Sequence, residues 1–249
     1  KETEFIYGKY MLKAVTVAVR LYGIFTKEQF KYLVKKVSPV EIPEASADEY
    51  FDKVKNGFFI SDIGGLNDSF AYHCSLLNQR EADNLLKNRY SDTGLFFEPT
   101  EKQINRLYEK GLSLSASGEK ALMSYLNDYC YFSYYDTEDI KGACRRIVNE
   151  LHKCGDAEAA CKRAENEMRR LSWSRDKDRV MTKIKAILVK EADALPLISL
   201  NGFSRNNCPA EILEHEKALR EAADSKKKTA VKKTAVKKAA ARTVAVKRK

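Results

Sequence analysis

The sequence predicts a mainly α-helical protein: a winged-helix-like part (three helices and a β-hairpin), a second all-helical part, and a disordered basic tail. Three observations carry that expectation. Apolar residues recur at helical spacing along most of the chain, a single pair of β-prone runs interrupts them, and residues 225–249 hold no acid. With 44% hydrophobic and 10% aromatic residues in 249, the chain has enough apolar surface to bury a core.

The first helix is read from "KYMLKAVTVAVRLYG", where Met11, Leu12, Val15, Val19 and Tyr22 form a stripe and Gly23 stands ready to end it in a left-handed conformation. In "FTKEQF", Thr26 and Gln29 have capping-box spacing, and Phe25 and Phe30 occupy hydrophobic-staple positions. Phe30, Leu33, Val34 and Val37 continue that second helix. A third is expected in "ASADEYFDKVKNG", with Ser46 and Glu49 as another box, Tyr50, Phe51 and Val54 inward, and Gly57 closing it. The runs "FFISDI" and "SFAYHC" flank a Gly- and Asn-rich turn and read as a hairpin, with Phe70, Tyr72 and Cys74 on one face. His73 then alternates outward. Three helices followed by a hairpin is the element order of a winged helix-turn-helix, a fold that serves DNA binding and protein docking alike.

From Asn78 the pattern is helical. "NQREADNLLKNRY" leads to a link containing Pro99, Thr100 and Gln103 form a box before Ile104, Leu107 and Tyr108, and "GEKALMSYLNDYCYFSYY" supplies an aromatic-rich helix. Ile140, Cys144, Ile147 and Leu151 make a stripe closed by Gly155. After Asp156 come Ala157, Ala160, Cys161, Ala164, Met168 and Leu171, and then Val180, Ile184, Ile187 and Leu188. Pro209 suits the first turn of a last helix edged by Ile212, Leu213 and Leu219. The expected division is 1–78 winged-helix-like, 79–200 helical, 201–224 linker and terminal helix, and 225–249 tail.

Charge separates these parts. Residues 225–249 carry nine Lys and two Arg, or +11, while the whole chain carries +10, so residues 1–224 stand at −1. The cations concerned are Lys226, Lys227, Lys228, Lys232, Lys233, Lys237, Lys238, Arg242, Lys247, Arg248 and Lys249. "TAVKK" occurs twice from Thr229 to Lys238, and a repeat of five fits neither helix nor heptad, so the lysines spiral round any helix that forms. Such an arm releases counterions from phosphates without reading sequence. DNA, RNA or an acidic membrane surface satisfies the same electrostatics.

The stretches "AVRLYGIFTKEQF", "FFISD" with "FAYH", and "LPLISLNGFSRNNCPAEI" together resemble an uncharacterised family of helical proteins from Gram-positive bacteria. Its members open with a similar helix-turn-helix stretch, and some carry a SEC-C zinc motif after a later helix. The resemblance implies no activity. The SEC-C cysteine cluster is absent here, where Cys208 stands alone before the lysine- and alanine-rich segment. The tail is similar to the lysine- and alanine-rich tails of linker histones and some bacterial nucleoid proteins.

Other chemistry finds weak footing. Cys144, His152, Cys154 and Cys161 lie close in sequence, but their spacing matches no structural zinc pattern and two fall on apolar stripes. There is no Gly-x-Ser-x-Gly, phosphate-cradling glycine loop or H-E-x-x-H. Asp136, Glu138 and Asp139 suit a helix N-terminus. The run "YCYFSYY" reads as helix core, since no cation interleaves it. The third helix offers Asp48, Glu49 and Asp52 beside Lys53, Lys55 and Asn56, a poor surface for a DNA groove, and the more basic second helix (Lys27, Lys31, Lys35, Lys36) lies where such folds cross the backbone.

Six cysteines with no C-x-x-C pair fit reduced thiols in a cytoplasm. "MLKAVTVAVRLYGIF" carries Lys13 and Arg20 within its apolar run, which argues against a signal sequence or a membrane span. A start at Lys1 instead of Met is consistent with a trimmed N-terminus. The expected function is non-enzymatic and cofactor-free: a docking body that offers a surface to a protein partner, tethered to DNA or RNA by the tail. The alternative is a protein-interaction adaptor whose tail does not bind nucleic acid. An enzyme with a site assembled from distant residues is a third reading.

Overall fold

The structure, a computed structural model, describes residues 2–57, 63–66, 69–74, 76–89, 95–129, 137–171, 177–222 and 225. It is mainly helical with one small sheet. The chain divides into two compact units, Lys1–Cys208 and Pro209–Lys249. Among the described residues no helix is long and apolar enough to cross a membrane.

The first unit opens with α1 (Glu2–Tyr22), β1 (Ile24–Thr26), α2 (Lys27–Val37) and α3 (Glu44–Lys55). The strands β2 (Ile63–Gly65) and β3 (Phe70–His73) complete an antiparallel sheet in the order β1-β3-β2, with Ile24 opposite Tyr72 and Ile63 opposite His73. The second expected run forms β3, but of the first run, 58–63, only Ile63 lies among the described residues, and β2 continues over Gly64 and Gly65, where the turn was expected; β1 joins β3 as a further strand. Three residues between two helices are too few for a period-two pattern to show, which is why β1 is invisible in the sequence.

From Met11 to Tyr22, α1 is buried on most of its circumference, with Ala14, Val15, Val17, Ala18 and Tyr22 all fully enclosed. Two of its three cations, Lys13 and Arg20, are used inside the fold. Lys13 Nζ donates to Asn105 Oδ1 at 2.8 Å, and Arg20 donates to the Leu107 and Tyr108 carbonyls at 2.6 Å each. Gly23 ends the helix as expected, at φ +63°, with its amide bonded to the Val19 carbonyl.

The Thr26–Gln29 box forms and starts α2. Phe25 and Phe30 both pack on Phe51 of α3, each with ring centroids 5.9 Å away. The Ser46–Glu49 box does not form. α3 begins three residues earlier, after Pro43, whose φ of −55° already suits a helix start, and Glu44 in the first turn answers Lys31 and Lys35 of α2.

Both faces of the sheet are covered. Phe25, Ala71 and Ile63 turn into the core built on α1, α2 and α3, while Ile24 and Tyr72 pack with Leu77, Ala82 and Ile198. That second face is closed by α4 (Gln79–Asn88), which has an Asn78–Glu81 capping box, and by a 3-10 turn at Ile198–Leu200. Ile104 and Leu107 of α5 (Glu101–Lys110), whose Thr100–Gln103 box is present, join the first core. Packing therefore runs across position 78.

The remaining helices, α6 (Ala116–Tyr129), α7 (Thr137–Cys154), α8 (Ala157–Leu171) and α9 (Lys177–Glu191), form a second core around Leu122, Leu126, Ile147, Leu151, Met168, Ile184 and Leu188. The expected stripes of α7 and α9 face this core, as do Ala160, Ala164 and Met168 of α8. Asp156 caps α8 by accepting from the Glu158 and Ala159 amides. Glu191 takes the Ser115 amide at 2.8 Å and hydroxyl at 2.6 Å, tying the start of α6 to the end of α9. Most of the aromatic run after Asp128 lies outside the described residues.

A buried carboxylate also holds the bundle. Glu167 of α8 accepts from Arg146 of α7 at 2.9 and 2.8 Å, with Arg163 at 2.8 Å. Burial pushes its pKa up, but Arg146 foremost and then Arg163 and Arg170 outweigh that, so it sits below the usual carboxylate range. The second unit holds a helix over 210–222, preceded by Pro209 as expected and carrying an Arg220–Glu216 pair at 2.8 Å.

At Gly23 a Cβ would stand 2.7 Å from Ile198 Cγ1, in addition to the left-handed φ. Gly23→Ala is expected to lower stability by about 2–4 kcal/mol, the sum of a left-handed alanine and an overpacked contact. Ile198→Ala in the same chain should recover part of it, and urea unfolding of the single and double variants reads the coupling.

Candidate functional site

The tail cations from Lys226 to Lys249 lie outside the described residues. The face expected to meet DNA in a winged helix is described, and it is electrically closed. Lys31 Nζ of α2 stands 2.8 Å from Asp48 of α3, Lys27 3.4 Å from Asp52, and Lys35 3.3 Å from Glu44. Lys53 pairs with Glu49 on α3 itself, and Lys36 lies over the Tyr32 ring at 5.4 Å. Each exposed pair contributes only about 0–1 kcal/mol to stability. Together they leave the α2–α3 face with little free positive charge to offer a phosphate.

The three cysteines near residue 150 and His152 go separate ways. Cys144 is core, and burial pushes its thiol up to about 12. Burial also raises the pKa values of Cys154 and Cys161, so these side chains are thiols at neutral pH. Among the described residues no three Cys, His, Asp or Glu side chains gather as a metal site.

His152 belongs instead to a cavity of about 380 Å³ where the end of α1, the end of β3, the C-terminus of α5 and one face of α7 meet. Arg145, Asn149 and His152 are spaced i, i+4, i+7 along α7 and share that face. Arg20, Lys110 and His73 line the other sides, with Glu109 as the one carboxylate. Arg20 is fixed by the α5 carbonyls, and burial foremost lowers its pKa, with the charge of Arg145 acting in the same direction.

The two imidazoles are set in opposite tautomers. His73 Nδ1 accepts from the Leu76 amide at 3.2 Å, so its proton sits on Nε2. His152 Nδ1 lies 2.6 Å from the Pro196 carbonyl, which only accepts, so the proton is on Nδ1. His152 Nε2 is a buried acceptor without a partner among the described protein atoms. Burial lowers the pKa of His152 to about 4 despite the raising effect of the Pro196 bond, so the ring is neutral.

His73 is half-buried on the cavity wall, where strand alternation alone expects an outward-facing ring. The α7 spacing was readable as a polar strip beside the apolar stripe. Nothing in the sequence says that residues 20, 73 and 110 meet it. No family model, curated protein or solved structure matches the chain.

Because the folded pKa of His152 lies below its ordinary 6.5, the unfolded chain binds the proton more readily. Its contribution is whole above pH 6.5 and falls away as the pH drops towards about 4, by roughly 1.4 kcal/mol per unit. Between those limits His152→Asn is expected to lose about 3 kcal/mol less than the wild type. Urea unfolding at the two pH values measures it, and equal acid sensitivity would exclude a neutral buried imidazole.

Proposed function

We propose that the protein associates with nucleic acid non-enzymatically, through the polycationic arm of residues 225–249, while the body serves for docking. The observation that carries this reading is where the uncompensated charge lies. The arm holds +11 and the rest of the chain −1, and the lysines of α2 are engaged by carboxylates of α3. An arm of this composition binds phosphates by counterion release and tolerates any sequence.

The winged-helix-like reading of the N-terminal part is supported by the order helix, strand, helix, helix, strand, strand and by the sheet order β1-β3-β2. In this reading the module holds a partner instead of reading bases. Phe5, 78% exposed, and Leu12, 42% exposed, lie seven residues apart on one side of α1 and favour a protein-docking role for the body.

Replacing the eleven arm cations with Gln should remove most affinity for a short duplex at low salt and leave the unfolding midpoint unchanged. If the arm engages about six phosphates, wild-type affinity falls about a thousandfold between roughly 50 and 200 mM salt. Fluorescence anisotropy at several salt concentrations reads both. Equal binding by the neutral-arm chain sinks the proposal, and an absence of duplex binding by either chain leaves the adaptor reading in its place.

A further inference from the structure

We propose that the cavity bounded by α1, β3, α5 and α7 is a binding site for a small phosphomonoester, a function separate from the arm's. A volume of about 380 Å³ accommodates a compact metabolite, and the wall carries three cations, Arg20, Lys110 and Arg145, against the single carboxylate of Glu109.

The donors are arranged before any ligand arrives. Arg20 cannot swing away, because the Leu107 and Tyr108 carbonyls hold one of its nitrogens. Its charge and that of Arg145 oppose one another, and a dianion seated between them converts that repulsion into attraction. Arg145 keeps only a loose contact with Glu138, at 3.8 Å between two exposed side chains, so it can turn to a ligand at little cost. Lys110 ends α5, and the amide of Asn149 adds a neutral donor.

The rest of the lining suits the organic part of such a ligand. Glu109 accepts from hydroxyls, and the unpartnered Nε2 of His152, 1% exposed at the floor, is an acceptor that a hydroxyl reached through a small adjustment would satisfy. A bare anion uses only the cationic wall. A phosphorylated sugar uses both.

The chain has three histidines, which makes the test direct. The full-length protein is titrated with ribose 5-phosphate while the imidazole C–H resonances are followed by NMR, with sodium chloride at matched ionic strength as control. Saturable shifts are expected at His73 and His152 and none at His215, which is not among the lining residues of the cavity. Arg145→Glu should weaken the binding at least about tenfold, and Lys110→Glu, also on an exposed side chain, does the same if the first variant folds poorly. The neutral-arm chain should bind ribose 5-phosphate as the wild type does, so failure here and failure of the nucleic-acid reading are told apart. Absent shifts, shifts shared equally by His215, or shifts that survive both charge reversals would overturn the site.

Discussion

The fold of the first unit turns on a close approach between the end of α1 and the turn at residues 197–203, made possible by two glycines. Gly23, at φ +63°, lets Ile198 lie where a Cβ would be. Gly202, at φ +81°, sits so that a Cβ would come within 2.7 Å of Tyr22 Cδ1. The contact is fastened on both sides: His73 donates its amide to the Gly23 carbonyl, Tyr22 Oη donates to the Phe97 carbonyl at 2.6 Å, and Asn201 donates its side-chain amide to Leu95 and receives the Phe97 amide at its carbonyl. Side chains larger than hydrogen at these two positions would hold α1 away from the turn, and the buried face of the sheet would lose Ile198.

That joint also explains where the cavity lies. The same end of α1 that carries Gly23 carries Arg20, and the same strand that pairs with β1 ends in His73. With α5 anchored to α1 by Lys13 and Arg20, Lys110 is brought to the spot, and α7 closes it with Arg145, Asn149 and His152. His152 is held in turn by Pro196, next to the turn that seats on Gly23. A packing constraint thereby collects polar groups from four separate elements. Charge on the α2–α3 side follows the opposite rule: cations and carboxylates there neutralise one another across the helix pair.

What could be read from the chain alone were features decided within a few residues. The Thr26 and Thr100 boxes, the left-handed ends at Gly23, Gly57 and Gly155, and the stripes of α7 and α9 depend on local hydrogen bonds and a 3.6-residue period, so spacing reveals them. The segregation of charge is likewise a property of composition. The Ser46 box was a false reading of the same kind, because capping spacing does not say whether the residue lies at the helix start or inside it; Pro43 and the lysines of α2 set the start instead.

Tertiary structure decided the rest. β1 exists only because β3 is there to pair with it, and Phe25 and Ile24 are buried on opposite faces because helices cover both sides of the sheet. The neutrality of His152, the hold of Arg146 of α7 on Glu167 of α8, and the cluster around Arg20 and Arg145 all arise from partners on different elements of the chain. Short-range rules determine caps and periodicity because their energies are local, whereas a buried charge or a lined cavity takes its properties from whichever distant atoms displace the water around it.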